Sequence, residues 1–279
     1  MHIVTSPIAL RELVTQWHKQ GEHIGLTPTM GALHDGHLAL IKALEGKASR
    51  KIVTIFVNPT QFNNTEDFRL YPRTHEADIL LLQQIGHVDA VYIPHEKDMY
   101  PQGFSTSVSV AHFDTMLCSA DRPGHFEGVA TVVTKLLLQS SADIATFGEK
   151  DYQQLYLIRR LVKDLNIPVE ILPVPTQREA DGLALSSRNR RLTPEQRRQA
   201  TQLPAALTVC IKELRTGQTV NSTLAACRTT LENAGFVVHY LELRKEETLE
   251  IAEKAEPHTR LFVAASLGNI RLIDNRPLF

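Results

Sequence analysis

The stretch Ile24-Gly25-Leu26-Thr27-Pro28-Thr29-Met30-Gly31-Ala32-Leu33-His34-Asp35-Gly36-His37 decides the fold. Its first six residues are short and mostly apolar and read as a strand. A glycine turn follows, and Leu38–Ala48 repeats apolar residues at helical spacing, so a helix is expected to begin near His37. The same alternation continues down the chain. Lys51–Val57, Asp89–Pro94, Asp143–Phe147 and Val169–Val174 are strand-like. Ile8–Lys19, Thr74–Ile85, Val129–Gln139 and Gln153–Asn166 are amphipathic with helical period. Apolar strands flanked by helices predict a parallel sheet covered on both faces, an α/β, Rossmann-like doubly wound fold.

Beyond Thr176 the pattern changes. Thr193–Arg215 and Asn221–Asn233 read as two helices, the first opening on an N-cap threonine followed by Pro194. Strand candidates follow at Val237–Leu243, Leu261–Ala265 and Ile270–Ile273. The expected division is residues 1–175 and a smaller α+β domain over 176–279. A chain of 279 residues is long enough for one large core and a second, smaller one.

Composition excludes several classes. With 43% apolar and 22% charged residues, the chain can bury an ordinary core. A net charge of −1 offers no global field for nucleic acid or an anionic membrane. Any bound anion must be held by a local cluster. Three widely spaced cysteines, without a CxxC, argue against a disulfide framework or structural zinc. No signal-peptide pattern and no membrane-length apolar run is visible. The expectation is a soluble cytoplasmic protein with neither nucleic-acid nor membrane partners.

In doubly wound sheets ligands bind beyond the carboxyl ends of the strands; three polar clusters fall there, and a fourth lies on a later loop. Met30 to His37 joins a glycine turn to a helix start. Free N–H groups and the helix dipole attract phosphate there, and His34 and His37 can face the same phosphates. The same spacing also suits two surface histidines in a turn, or half a zinc site lacking its third ligand. Asn58-Pro59-Thr60-Gln61 can orient a hydroxy acid or serve as a plain turn. In Gly148-Glu149-Lys150-Asp151, Lys150 can grip phosphate, and Asp151 can hold a ribose hydroxyl or cap the next helix; Gln154 would face the same pocket. Leu185-Ser186-Ser187-Arg188 reads as a mobile basic lid or ordinary loop chemistry. Arg122 and His125 precede an apolar helix as a further substrate loop or a simple helix entry. Asp78 could hold Mg²⁺ through water or sit solvated on its helix. There is no Walker A motif, no GxSxG, and no cysteine–histidine pair, which disfavours P-loop and covalent chemistry. Together the clusters point to an enzyme handling ATP.

PTMGALHDGH, IFVNPTQF, YPRT, RPGHFEGVATVV, FGEKDYQQL, READGLALSSRN and RLIDN, in this order, resemble the motifs of the pantothenate synthetase family along nearly the whole chain. The first is similar to the HIGH signature of nucleotidylyl transferases. The resemblance implies that pantoate, β-alanine and ATP give pantothenate, AMP and pyrophosphate through a pantoyl-adenylate. It implies Mg²⁺ dependence, a homodimer, and a C-terminal domain acting as lid. Carried over, the catalytic set is His34, His37, Lys150, Ser187 and Arg188, with His37 as proton donor. ATP would be bound by Met30, Gly31, Ala32, Leu33, His34, Asp35, Gly36 and His37, by Gly148, Glu149, Lys150 and Asp151, and by Gln177, Leu185, Ser186, Ser187 and Arg188. Gln61, Gln154, Asn58 and His125 would meet pantoate and β-alanine. Three positions depart from the family pattern: Gln177 stands for an apolar residue near adenine, Ile270 for threonine, and Ala142 for proline. The rival reading is a nucleotidylyl transferase moving AMP onto a phosphorylated acceptor.

Overall fold

The computed structural model describes residues 1–63, 65–111, 113 and 115–279. Six strands form one parallel sheet: β1 (His2–Val4), β2 (Ile24–Thr29), β3 (Arg50–Ile55), β4 (Ala90–Tyr92), β5 (Ile144–Gly148) and β6 (Glu170–Val174), in spatial order β1-β4-β3-β2-β5-β6. Between them run α1 (Pro7–Lys19), α2 (Asp35–Lys42), α3 (Thr65–Leu70), α4 (His75–Ile85), α5 (Glu96–Met99), α6 (Cys118–Asp121), α7 (His125–Ser140) and α8 (Tyr152–Asp164). From β2 the chain steps outward to β3 and β4, then returns to build β5 and β6 on the other side. Right-handed crossovers in opposite directions put helices on opposite faces. α2 and α4 cover one face, closing Leu33, Ile41 and Leu82 over Val53, Ile55 and Val91. α7, buried along most of its length, packs on β2 and α1. The reversal makes the gap between β2 and β5 the switch point, where such sheets bind ligands. Gly25 lets the segment after α2 press on β2, since a Cβ there would lie 2.8 Å from Ala48 Cβ and Leu44 Cδ1.

A second, antiparallel sheet is formed by β7 (Val237–Lys245), β8 (Thr259–Leu267) and β9 (Ile270–Pro277), with β8 central. α9 (Pro194–Ala200), α10 (Gln202–Arg215) and α11 (Val220–Asn233) close its core, with Leu203, Leu207, Cys210 and Leu231 meeting Leu261, Val263 and Leu272. Contacts divide the chain into Met1–Glu149 with Gln153–Pro175, and Lys150–Tyr152 with Thr176–Phe279. Residues 150–152, expected in the first domain, thus group with the second. Among the described residues no helix is long and apolar enough to cross a membrane.

Three elements differ from expectation. β1 has only three residues, too few for a periodic signal. The segment expected as one helix over Thr193–Arg215 breaks at Thr201. Pro204 has no N–H to give Ala200, so it can only sit in the first turn of a new helix. α2 starts at Asp35 with His34 as its N-cap, which puts His37 inside the first turn rather than at the start.

Candidate active site

The turn after β2 is built around two histidines whose roles their hydrogen bonds define. His34 Nδ1 accepts from the Gly36 main-chain N–H at 3.1 Å, and His37 Nδ1 accepts from the His34 N–H at 3.3 Å. A ring nitrogen that accepts cannot carry the proton, so both neutral rings hold it on Nε2. The rings lie 4.1 Å apart, centroid to centroid. Two imidazoles with protonated Nε2 at a helix N-terminus are suited to an anionic oxygen.

Asp78 holds this turn in shape. Gly31 and Ala32 both have left-handed backbone, at φ 79° and 51°. For alanine that conformation costs on the order of 1 kcal/mol. It persists because Asp78 Oδ2 accepts from Ala32 N–H and Oδ1 from Leu33 N–H, each at 2.9 Å, while Thr74 Oγ1 donates to Oδ2 at 3.0 Å. Asp78 is only 3% exposed. Burial excludes the reading of Asp78 as a solvated helix residue, and the backbone role seen here stands beside the expectation of a water-mediated Mg²⁺ contact. The Asp78 oxygens are engaged by backbone and hydroxyl donors. Among the described residues no group of three or more His, Cys, Asp or Glu could hold a metal ion.

A second cluster follows β3, in the short 3₁₀ turn Pro59–Gln61. Asn58 is buried. Its Nδ2 donates to Gln61 Oε1 and to the Gly128 carbonyl, both at 3.1 Å. Its Oδ1 accepts from Thr60 Oγ1 at 3.0 Å and Tyr100 Oη at 2.6 Å. These bonds use the whole capacity of the amide. Asn58, expected on the substrate, is seen here shaping the turn. Gln61 Nε2 reaches Met30 Sδ at 3.1 Å, which brings the two clusters together. The Gln61 main-chain carbonyl accepts from Arg122 Nη2 at 3.2 Å and from His125 Nδ1 at 2.7 Å. His125 is buried, and in these bonds it too holds Gln61. Gly128 permits the approach of α7, because a Cβ there would lie 2.5 Å from the Thr60 carbonyl oxygen.

Gly148 ends β5, Glu149 opens the 3₁₀ turn that follows it, and Gln154 lies half-buried in the first turn of α8. Its neighbour Gln153 is buried and structural, accepting from Cys118 N–H and donating to Met116 O and Ser119 Oγ.

The second unit carries the other candidates. Lys150 Nζ lies 3.5 Å from Asp151 Oδ2, and Asn275 Nδ2 donates to the Lys150 carbonyl at 2.8 Å. Gln177, Leu185, Ser186, Ser187 and Arg188 lie on or just after a tight hairpin. There Leu185 N–H meets Gln177 O, and Arg178 pairs with Ala184 as a bridge. Arg178 grips Asp274 with both terminal nitrogens at 2.8 and 2.9 Å. Ser186 Oγ caps the following 3₁₀ turn by accepting from Arg188 N–H, and Asn189 Nδ2 holds Ala184 O. Gln177 is exposed, while Ile270 and Ala142 are buried. The role of Tyr100 had no local signal, and those of Asp274 and Asn275 had little. Only the RLIDN run hinted at the last two.

Fold and residues define a doubly wound α/β protein whose polar side chains gather beyond the carboxyl ends of β2 and β3. A family model described as pantoate-beta-alanine ligase matches residues 2–277. The chain is 52% identical to the pantothenate synthetase of Paracoccus denitrificans, over 98% of this chain and 96% of that one. It is 51% identical to that of Chelativorans sp., over 96% and 95%. Among solved structures, the pantothenate synthetase of Thermus thermophilus superposes with a TM-score of 0.94 at 42% identity, covering all of both chains. The pantoate-beta-alanine ligase of Francisella tularensis, complexed with beta-gamma ATP and beta-alanine, does so with 0.85 at 36%, over 100% and 98%. The chain belongs to the pantoate-beta-alanine ligase family and is an enzyme of it.

Proposed function

We propose that this chain joins pantoate to β-alanine in two steps driven by ATP. A pantoate carboxylate oxygen attacks the α-phosphorus, the bond to the bridging oxygen breaks, and pyrophosphate leaves. The β-alanine amine then attacks the acyl carbon of pantoyl-adenylate, and AMP departs with its electron pair as pantothenate forms. No protein nucleophile is needed, so catalysis is positioning and electrostatics.

The observation that carries this reading is the paired Nε2 tautomer of His34 and His37 at the N-terminus of α2. Two neutral donors meet the charge that grows on departing pyrophosphate, and His37, at the position the resemblance assigns as proton donor, does so by sharing its Nε2–H in a hydrogen bond. Lys150, Ser187 and Arg188, on the C-terminal unit acting as lid, balance further phosphate charge. Met30 to Asp35, Gly148 to Asp151, Gln177, Leu185 and Ser186 line the nucleotide. Gln61 and Gln154 orient the acid. Mg²⁺, where required, enters on the triphosphate, as it commonly does. The described residues provide no cage for it, and no step here runs through a protein-held metal. The reading also includes a cytoplasmic homodimer, for which a native mass near twice 31.3 kDa is the measure.

Incubation with ATP, pantoate and β-alanine tests the reaction. AMP, pyrophosphate and pantothenate in equal amounts are expected, whereas a stable dinucleotide would instead mark a nucleotidylyl transferase. Lys150→Ala should slow adenylation by several orders of magnitude with the fold intact. Unchanged pantothenate formation would remove Lys150 from the chemistry.

A further inference from the structure

The polarity of the Gln61 amide can be read from its surroundings, beginning with an atom of fixed character. The Gly128 main-chain oxygen only accepts. The Asn58 atom facing it at 3.1 Å must therefore be Nδ2. The opposite end of that amide is then Oδ1, which faces two hydroxyl donors, Tyr100 Oη at 2.6 Å and Thr60 Oγ1 at 3.0 Å. The second hydrogen of Asn58 Nδ2 points to Gln61, so the Gln61 atom opposite it is Oε1. Gln61 consequently turns its NH₂ away from Asn58, on the side of Met30 Sδ.

Tyr100 supplies the shortest bond in this chain of contacts. Its ring is wedged between Phe56 and Phe104, with centroids 6.3 and 5.2 Å away. Burial pushes its phenol above the ordinary tyrosine range, so it stays protonated and able to donate. Neither its position, 40 residues from Thr60 in the Asn58–Gln61 turn, nor any motif marks it in the sequence.

We infer that Tyr100 is a positioning residue for the acid substrate: acting through Asn58, it keeps Gln61 presenting an N–H donor, so that the site selects a carboxylate or hydroxyl oxygen at that point. This rests on the reading of Gln61 as a pantoate contact. Without the phenol, Asn58 Oδ1 keeps only Thr60, and the Gln61 amide is less firmly held. This chain of bonds reaches the nucleotide side only through the contact of Gln61 with Met30 Sδ, so the larger effect belongs to the acid.

The test is a double-mutant cycle on the full chain, using Tyr100→Phe and Gln61→Ala, with steady-state kinetics varied in pantoate and in ATP. Tyr100→Phe should lower kcat/KM for pantoate by roughly tenfold, as expected for one buried hydrogen bond, mostly through KM. KM for ATP should stay within about twofold. In the Gln61→Ala background, Tyr100→Phe should have no further effect on pantoate kinetics, because the two act as one unit. Additive losses, or equal losses for both substrates, would overturn the inference and leave the Gln61 contact standing. If Gln61→Ala alone leaves pantoate kinetics unchanged, the contact itself is wrong and the inference falls with it. Thermal unfolding of each variant separates these outcomes from loss of fold.

Discussion

Asn275 holds the main chain of Lys150: its Nδ2 donates to the Lys150 carbonyl at 2.8 Å across 125 positions. The other end of the amide, Oδ1, accepts from Arg260 Nη1 at 2.6 Å. Arg260 in turn lies 4.0 Å over the Tyr152 ring and pairs with Glu246 at 2.8 Å. Residues 150 and 152 are thus fastened from β8 and β9, which explains why they group with the C-terminal unit.

Asn275→Ala should therefore misplace Lys150 without removing it. It takes away a buried bond on each side, a loss of about 1–3 kcal/mol, and should lower the unfolding temperature by several degrees. Turnover should fall roughly tenfold, far less than in Lys150→Ala. Kinetics and thermal unfolding on the same preparations measure both. A lowered melting point with unchanged turnover would show that the contact stabilises the fold alone.

Asp78 separates a backbone role from a metal role. In Asp78→Asn an NH₂ must replace one carboxylate oxygen, so at least one of the Ala32 and Leu33 N–H groups faces a donor. The left-handed turn then loses a partner worth about 1–3 kcal/mol. KM for ATP should rise roughly tenfold, and excess Mg²⁺ should not restore it. Recovery on titrating Mg²⁺ would return Asp78 to the metal.

The parallel sheet was legible because five of its strands are apolar runs separated by helical periods, and period is a local property. β1 escaped because three residues carry no period. The break at Thr201 escaped because Pro204 is as acceptable in a first turn as it is damaging in an interior. His34 and His37 were legible as candidates from their spacing, but not as Nε2 tautomers, since those follow from the cap beginning at His34. Asp78, Tyr100 and Asn275 act on partners 45, 42 and 125 positions away. Such pairings are set by how elements pack, and a single chain read linearly carries no mark of them.

Gly128→Ala should damage the acid side of the site selectively. The added Cβ would lie 2.5 Å from the Thr60 carbonyl oxygen and 2.8 Å from the Gln61 nitrogen, both backbone atoms unable to swing aside. The turn must move off α7, at a cost of about 1–3 kcal/mol for overpacking. KM for pantoate should rise well above its ordinary value while KM for ATP changes little. Equal effects on both substrates would show that the displacement spreads to the His34 turn.

Arg178 and Asp274 should respond unequally to removal, although they form one pair. Asp274 is 1% exposed at its side chain and Arg178 24%. Arg178→Ala leaves a buried carboxylate with the Asn275 N–H at 2.8 Å and Arg276 Nε at 3.8 Å. Breaking a buried pair in this way costs about 3–5 kcal/mol. Asp274→Ala leaves a guanidinium that can turn toward water and still reach the Gly182 carbonyl, so its loss should be smaller, about 1–2 kcal/mol. Denaturant unfolding of both single variants and the double variant measures the difference. The double variant should resemble Asp274→Ala, because the cost of Arg178→Ala lies mainly in the carboxylate it strands. If Asp274→Ala proves the more damaging change, then the carboxylate's bond to the Asn275 N–H, rather than its pairing with Arg178, is what holds the last strand.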